Sequence, residues 1–456
     1  MELNYDVLIH ILDVIDQADY YATLYACSLV NHTFNQAASR LLYRKVVLEP
    51  QWTSTIRLGR REQKLNGLFV SARLPHNAPH VVDLRIAGYL EDRPPPINTF
   101  PDLLCHALGQ WTNLRSFTFA PLEYPDVLIT QTLDSLPLCD SLRSLTVGSP
   151  CCSEDAAPLL VQVESLESLT IENPSRAILN IMPDWLNRLS GTLTTLRFRE
   201  NCGSITPGVL RSFTPHMPNV HTFALGLSYS LTHDDVFSFL QNHSNLQSLE
   251  LRYYLQLRKI STSLKLPRLR TLVVRHTHVS DKREASHLTK FIHRLSTHSP
   301  LESLHLVCDS SGLRLSTTAF DGLADHLGSR HADTLRVLYM PSNFLRLKAF
   351  RDLCVRCYRL EELAVAVQHD VLWDLPRLSE PLDRLYLVSL TFPHSKPNKT
   401  IVNADKVAEL LVHGKRSLRR LAINHKQWEG YWSTSEDGSV KFFVQPVPPF
   451  RAPWER

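Results

Sequence analysis

Few residues in this sequence have the types and spacing that metal binding or redox chemistry requires. Cys354 and Cys357 form a C-x-x-C pair, and His276 and His278 stand two residues apart. A zinc site takes about four ligands, so it would need a second C-x-x-C or a histidine pair close by. Neither is present, and we expect two core thiols at 354 and 357 and a solvated loop at 276–278.

The motifs that mark common enzymes are also missing. The sequence contains no P-loop, no G-x-S-x-G elbow, no H-E-x-x-H and no G-x-G-x-x-G. Glycine occurs only 15 times in 456 residues, so glycine-rich loops that hold phosphate groups are scarce. We therefore expect a protein that is not an enzyme and that uses no cofactor and no metal.

The composition indicates an ordinary globular protein, with 43% hydrophobic and 21% charged residues. The net charge of +4 is too small to indicate nucleic acid as a partner. No window approaches the ~18 consecutive apolar residues of a membrane span, and no basic-then-apolar leader opens the sequence. The nine irregularly spaced cysteines favour reduced thiols. We expect a cytoplasmic or nuclear protein without a membrane partner.

One short pattern recurs along most of the chain. It reads L-x-x-L-x-Φ, where Φ is apolar, and thirteen copies follow one another at spacings of 22 to 36 residues when Val, Phe or Met is admitted. The copies begin at Val81, Leu114, Leu142, Leu166, Leu193, Val220, Leu246, Leu269, Leu301, Leu335, Leu360, Leu382 and Leu418. One copy cannot bury three large apolar side chains alone. The pattern therefore predicts stacked units that share a continuous core.

The hexapeptide and its period resemble the leucine-rich repeat family over residues 81–425. The resemblance implies an α/β solenoid, in which a curved, mostly parallel sheet of about twelve or thirteen strands carries helices on its outer side. Apolar residues at helical spacing between the copies predict these helices, for example at Asp234–Asn242 and Lys282–Leu295. The Asn or Cys typical of the family's ninth position is in register only at Asn201 and Asn343, so we expect irregular turns.

The first 45 residues have a different pattern. Apolar residues at helical spacing predict three short helices, the first of them around Val7–Leu12. Residues 1–50 hold three Lys or Arg and six Asp or Glu, so this end is acidic while the rest is basic. Three short helices bury too little apolar surface to be stable alone. The module therefore needs a partner or a neighbouring domain.

This N-terminal segment resembles the F-box, and with the repeats behind it the chain is similar to F-box proteins of mushroom-forming fungi. The matching stretches are Leu3–Leu12 and Ala22–Phe34, in which an Ala-Cys-Ser-Leu-Val run precedes an aromatic residue. Asn4 stands where the family has proline, Asp6 where it has Glu, and Phe34 where it has Trp. The resemblance implies that residues 1–45 bind a Skp-type adaptor and, through it, a cullin. The implied contact residues are Leu3, Val7, Leu8, Ile11 and Phe34.

The remaining segments complete the predicted organisation. Residues 46–80 connect the helical module to the repeats and begin to cap them. Residues 426–456 form a C-terminal cap, in which Tyr431–Ser435 and Val440–Val444 flank a D-G turn and predict a hairpin. A solenoid must cover its last apolar face, and a hairpin with Trp and Phe suits that purpose. A proline-rich tail follows.

The residues between the buried positions of each repeat are predicted to face the concave side of the sheet. Four arginines fall there on neighbouring repeats, together with Glu250. Two interpretations are open: a positive field that favours an acidic or phosphorylated segment, or pairing with Glu250 along the ladder. The predicted target-contact residues are Arg197, Arg199, Arg252, Arg275, His305, Tyr339 and Tyr386.

Together the two resemblances imply a substrate-recognition subunit of a Skp–cullin–F-box (SCF-type) ubiquitin ligase. In that function the helical module binds the adaptor and the repeats bind a protein target. The alternative is a leucine-rich-repeat scaffold for protein interactions, whose N-terminal helices only cap the first repeat and assemble no ubiquitin ligase. Binding to the adaptor distinguishes the two.

Overall fold

The computed structural model describes residues 4–14, 20–49, 67–89, 99–123, 126–256, 261–309, 318–393, 404–413, 417–424, 426–434 and 439–448. The chain divides into two units. The first comprises Met1–Val220 and Ser228–Leu231, and the second comprises His221–Leu227 and Thr232–Arg456.

Three short helices open the first unit, as predicted. They are α1 (Tyr5–Asp13), α2 (Tyr20–Ser28) and α3 (His32–Leu42). Asn4 begins α1 because its Oδ1 accepts the Asp6 N–H at 3.1 Å, and Asn31 begins α3 in the same way through the Phe34 N–H at 3.0 Å. The small core of this module consists of Leu8, Leu12, Leu24, Ala37, Ala38 and Leu41.

Six strands follow in the first unit, and from β1 to β6 neighbouring strands pair in parallel. They are β1 (Lys45–Leu48), β2 (Asp83–Tyr89), β3 (Ser116–Glu123), β4 (Ser144–Val147), β5 (Ser168–Glu172) and β6 (Thr195–Asn201). Residues 67–72 are helical, and further helices lie between or after the strands. These are α4 (Thr99–Gln110), α5 (Asp126–Ser135), α6 (Ala157–Leu160), α7 (Arg176–Leu189) and α8 (Pro207–Phe213).

The second unit repeats this arrangement and ends in a hairpin. Its parallel strands are β7 (Thr222–Leu227), β8 (Ser248–Arg252), β9 (Thr271–His276), β10 (Ser303–Cys308), β11 (Val337–Leu345), β12 (Glu362–Val367), β13 (Leu387–Thr391) and β14 (Arg420–Ile423). Its helices are α9 (His233–Leu240), α10 (Lys282–Ser296), α11 (Asp321–Arg330), α12 (Leu347–Arg356), α13 (Val371–Leu378) and α14 (Ala404–His413). The antiparallel strands β15 (Lys426–Thr434) and β16 (Val440–Val447) form the predicted hairpin, and β15 pairs with β14. The second strand extends beyond the predicted Val440–Val444, because β16 continues through Pro446 to Val447.

The apolar residues of the hexapeptides form the core of each unit. In the copy at Leu166, for example, Leu166, Leu169 and Ile171 are fully buried. Burial of one such side chain stabilises the folded state by roughly 1.5–3 kcal/mol, and every copy contributes several. The predicted α/β fold with a mostly parallel sheet and helices between the strands is confirmed within each unit.

One pair of backbone hydrogen bonds joins neighbouring repeats within each unit. The carbonyl of the second hexapeptide residue accepts two successive N–H groups from the following repeat. Arg143 O accepts from Glu167 and Ser168 at 2.7 and 2.9 Å, and other repeats use the same arrangement. These bonds hold neighbouring strands in one register.

The structure contains one copy of the hexapeptide that the sequence pattern missed. It runs from Tyr43 to Leu48, and its Val46 and Leu48 are buried. Arg44 O accepts the N–H groups of Val82 and Asp83, both at 3.0 Å, as in the later repeats. The strand β1, predicted to belong to a connecting segment, is therefore the first strand of the sheet. Tyrosine at the first position was not among the residues that the pattern admitted.

The predicted start of the twelfth copy at Leu382 is wrong by three residues. Leu382–Leu390 contains two overlapping hexapeptides, and the structure uses the one that begins at Leu385. Glu362 pairs with Leu387 and Leu363 with Val388, which fixes this register. Both alternatives place leucines in the core, so the local pattern could not distinguish them.

The cysteines are free thiols, and Cys354 and Cys357 are buried, as expected of core residues. Burial raises the pKa of Cys357 to about 12. His276 corrects the expectation of a solvated loop, because it ends β9 and is buried, with its Nδ1 2.7 Å from Thr277 O. Among the described residues, no group of three or more His, Cys, Asp or Glu is arranged to hold a metal ion.

Candidate functional site

The first helix has two apolar faces with opposite environments. Leu8 and Leu12 lie on the buried face and belong to the core of the module. Val7, Ile11 and Val14 follow at helical spacing on the other face, and their exposed fractions are 48%, 52% and 83%. The second helix also exposes Tyr21 and Tyr25, and Leu29 just beyond it is exposed as well. A small module with this many exposed apolar side chains is typical of a protein that binds a partner there.

The predicted adaptor contacts divide accordingly. Val7 and Ile11 are exposed, whereas Leu8 is 1% exposed and must be assigned to the core. Phe34 is half-buried and packs against that core. Leu3 lies outside the described residues. The sequence also missed Val14, Tyr25 and Leu29, although the helical period that selected Val7 and Ile11 continues to Val14.

In the first unit, Arg197 and Arg199 lie on β6, opposite Thr170 and Glu172 of β5. Burial raises the pKa of the Glu172 carboxyl, Glu200 adds to the rise, and Arg199 and Arg85 oppose it. Arg199 therefore has an acidic neighbour on the adjacent strand. The face of β3 to β5 presents small hydroxyl side chains: Ser116, Thr118, Ser144, Thr146, Ser168 and Thr170.

In the second unit, Arg252 and Arg275 belong to a cluster of four charged residues, which we call the quartet: Glu250, Arg252, Arg275 and Asp309. Arg275 Nε is 2.6 Å from Glu250 Oε1, and Arg275 Nη1 is 3.1 Å from Asp309 Oδ1. Asp309 Oδ2 contacts Arg252 Nη1. The quartet has no net charge. Of the two open interpretations, ion pairing along the ladder describes this part of the face.

Asp309 was not predicted, because the expected face stopped at the seventh residue of each repeat and Asp309 is the ninth. Its backbone N–H donates to His276 O at 3.0 Å, so the residue continues the strand pairing just beyond β10. The quartet is only partly accessible, and the exposed fractions of its four side chains lie between 13% and 28%.

The three remaining predicted target-contact residues differ in accessibility. His305 is buried beside Ser303, and burial lowers its pKa to about 3, so it is neutral at ordinary pH. Tyr339 is half-buried, and its ring centroid lies 6.1 Å from that of His305. In the corrected register Tyr386 is the second residue of its hexapeptide and lies just before β13. Its hydroxyl donates to Glu362. Burial and this carboxylate raise the pKa of Tyr386.

A histidine cluster that the sequence did not suggest lies between α10 and α11. The rings of His293 and His326 stack with centroids 3.8 Å apart, and His331 meets His326 edge-on at 5.3 Å. Ser296 Oγ lies 3.0 Å from His326 Nε2. Neither ring nitrogen of the buried His331 has a hydrogen-bond partner among the described residues.

No protein-family model matches this chain, and no curated protein matches it. The solved structures that are similar to it include the following two. A chain of the Rad7 and Elc1 complex in yeast aligns with a TM-score of 0.40 and 14% identity, over 91% of this chain and 86% of that chain. A chain of the TLR13–ssRNA13 complex aligns with a TM-score of 0.28 and 14% identity, over 83% of this chain and 57% of that chain. Both TM-scores are too low for either similarity to carry an argument about fold or function.

In the part of the chain that the structure describes, no helix combines the length and the apolar character needed to cross a membrane.

Proposed function

We propose that this protein recruits a protein target to an SCF-type ubiquitin ligase, through a Skp-type adaptor and a cullin. The observation that carries the proposal is the exposed apolar face of α1, formed by Val7, Ile11 and Val14. Exposed apolar groups in a module with so small a core favour a partner that covers them. The resemblance of residues 1–45 to the F-box supports a Skp-type adaptor as that partner.

The repeats supply the second half of the proposal. Their strands present polar, charged and aromatic side chains on the sheet face of each unit, including Arg197 and Arg199 in the first and Tyr339 in the second. Parallel strands about 4.8 Å apart place such groups in regular rows, which suits recognition of an extended protein surface. The target is therefore proposed to bind on these sheet faces.

A repeat scaffold without ubiquitin-ligase assembly is the second candidate, and one observation favours it. The helical module leads directly into the first repeat: α3 ends at Leu42, the Tyr43 hydroxyl contacts Ser71 Oγ, and Arg44 O accepts the N–H groups of Val82 and Asp83. These contacts suit helices that serve only to cap the first repeat. In that case the chain would bind other proteins through its sheet and no adaptor through α1.

Co-purification with a Skp-type adaptor tests the proposal. Val7→Asp with Ile11→Asp should abolish capture of the adaptor, because each carboxylate would be desolvated in an apolar interface. Val355→Asp with Val412→Asp is the matched control, since these valines are exposed to a similar extent on α12 and α14. The control should retain capture. If the native chain captures no adaptor, the scaffold candidate is preferred. If the first variant still captures the adaptor, Val7 and Ile11 do not form the adaptor contact.

Point variants are a sharper test than removal of residues 1–45. Deletion would also remove Arg44, whose carbonyl accepts two N–H groups at the start of β2. It would leave those donors unpaired and expose the edge of the sheet. Loss of function after deletion could then reflect damage to the first repeat.

A further inference from the structure

Asp309 joins two arginines of neighbouring strands. Arg252 on β8 and Arg275 on β9 are register partners, so their side chains leave the sheet side by side. The two oxygens of Asp309 are divided between them: Oδ2 contacts Arg252 Nη1, and Oδ1 lies 3.1 Å from Arg275 Nη1. Two adjacent guanidinium groups repel each other, and the carboxylate between them removes that repulsion.

This arrangement is the one in which two arginines would hold an oxyanion from outside. Each guanidinium gives one oxygen a charge-assisted hydrogen bond, which is about twice as strong as a bond between neutral groups. Glu250 Oε1 lies 2.6 Å from Arg275 Nε and orients that guanidinium, while Nη1 of the same group contacts Asp309. The side chain of Asp309 therefore stands where an external carboxylate or phosphate would stand.

We propose that Arg252 and Arg275 form an oxyanion site on the target-binding face, and that the Asp309 carboxylate is its resident, displaceable ligand. The site presupposes the proposed role in target recognition and specifies the chemistry of the target. A group of the target enters by replacing Asp309 between the two arginines. Asp309 thereby acts as an internal competitor that keeps the site closed to weak ligands.

The competition favours a phosphorylated segment over an acidic one. Asp309 is tethered beside the arginines, so its effective concentration is on the order of millimolar or above. A single external carboxylate offers the same bonds and no advantage over it. A phosphate group carries about −1.5 to −2 charges and three acceptor oxygens, so it can bond both arginines more fully than one carboxylate does.

The test measures binding of inorganic phosphate to the full chain by calorimetry at constant ionic strength, with acetate as the monocarboxylate probe. Asp309→Asn keeps the shape of the side chain and removes its charge. We expect this variant to bind phosphate on the order of tenfold more tightly than the native chain does. Phosphate affinity equal to or below that of the native chain would overturn the proposal. Stronger binding of acetate than of phosphate by the variant would also overturn it.

Glu302→Gln is the matched control for loss of one negative charge. Glu302 also pairs with an arginine of the second unit, since its Oε1 is 2.7 Å from Arg270 Nη1. This variant leaves Asp309 in place, so its phosphate affinity should equal that of the native chain. An equal gain in phosphate affinity in both variants would show that the gain comes from the change in net charge, and it would contradict the proposal. Adding Arg252→Gln to Asp309→Asn should abolish the gain.

A measurement on the native chain covers the case in which Asp309→Asn does not fold. Saturating phosphate should protect Arg252 and Arg275 from modification by phenylglyoxal, whereas the more exposed Arg270 should remain reactive. Acetate at the same ionic strength should protect none of the three. Absence of protection by phosphate would overturn the proposal. No adaptor is present in these assays, so their failure is distinct from failure of adaptor capture.

Discussion

At the scale of residues, the clustered rings of His293, His326 and His331 remain uncharged in the folded second unit. Burial, together with the nearby His293, His331 and Arg330, lowers the pKa of His326 to about 3. Burial, together with Arg330 and His293, likewise lowers the pKa of His331 to about 4. The pKa of His293 is also lowered by burial. All three rings are therefore neutral in the folded protein near pH 7.

This cluster predicts a loss of stability in mild acid. In the unfolded chain each histidine titrates near its usual pKa of about 6.5, so below that pH the unfolded state binds protons that the folded state excludes. Stability is fully retained above about pH 6.5. For each histidine that is protonated only in the unfolded chain, the free energy of unfolding falls by about 1.4 kcal/mol per pH unit as the pH decreases toward the folded pKa. The contribution of His331 should level off below about pH 4.

Urea unfolding at pH 7 and pH 5 checks this prediction. His331→Leu places an apolar side chain in the buried position and removes the titrating group. The stability of this variant should therefore fall less between the two pH values than that of the native chain. His298→Gln, at an exposed position that follows α10, is the control and should show the native pH dependence. Equal pH dependence of all three proteins would contradict the assignment to the cluster.

At the scale of elements, the hairpin of β15 and β16 packs on α14 through a glycine. A Cβ on Gly430 would clash with the ring of Phe442, at its Cζ, and would lie 3.0 Å from Leu411 Cδ1 of α14. The absence of a side chain at this position lets the ring of Phe442 cover the strand. Trp428 on the same strand is buried as well, so this end of the sheet is closed by aromatic residues.

Gly430→Ala should therefore destabilise the hairpin by about 1–3 kcal/mol, because the added methyl group overpacks this contact. Hydrogen exchange of β15 and β16 measures the effect. Adding Phe442→Ala should relieve most of it, since the clash involves that ring. Gly322→Ala is the control: a Cβ there meets no atom within 4 Å, and alanine in α11 should be neutral or stabilising. Faster exchange that persists in the double variant would contradict this explanation.

The sequence predicted the elements well because every repeat contains the same apolar signal. The starts of nearly all the strands follow directly from the hexapeptide. The two exceptions have physical reasons. Tyr43 fills the first position with a residue that is only partly apolar, and Leu382–Leu390 offers two registers that bury leucine equally well. Only pairing with the preceding strand, at Glu362 and Leu363, selects one of them.

The candidate site was less predictable, because it depends on contacts between repeats. The pattern correctly placed Arg252 and Arg275 on one face of the sheet, yet it could not show that Asp309 lies between them. In α1 the pattern identified apolar positions but not which of two adjacent residues is buried. Leu8 is covered by α3, whereas Val7 is exposed, and only the packing of three helices decides this.

At the scale of the whole molecule, each repeat bonds mainly to its immediate neighbours, so damage should remain local. Leu304 is fully buried on β10, with Leu272 and Leu338 as its register partners. Leu304→Ala should cost about 2–5 kcal/mol through lost burial and the cavity left behind. We expect faster hydrogen exchange in β9, β10 and β11, with native protection in β2, β3 and β4 of the first unit. Equal loss of protection in both units would show that the chain unfolds as one cooperative body.

The join between the helical module and the sheet has a consequence for the proposed function. Helix α3 ends at Leu42 and β1 begins at Lys45, and the carbonyl of Arg44 between them is bonded to β2. Only two residues separate α3 from β1, and one of them is hydrogen-bonded to the sheet. An adaptor bound to α1 would therefore be held at one fixed angle to the sheet of the first unit. Under the proposed function, ubiquitin would then arrive from one direction. The target lysines that receive it would then be determined by the orientation in which the target binds to the sheet, because no flexible linker would let the adaptor reach other lysines.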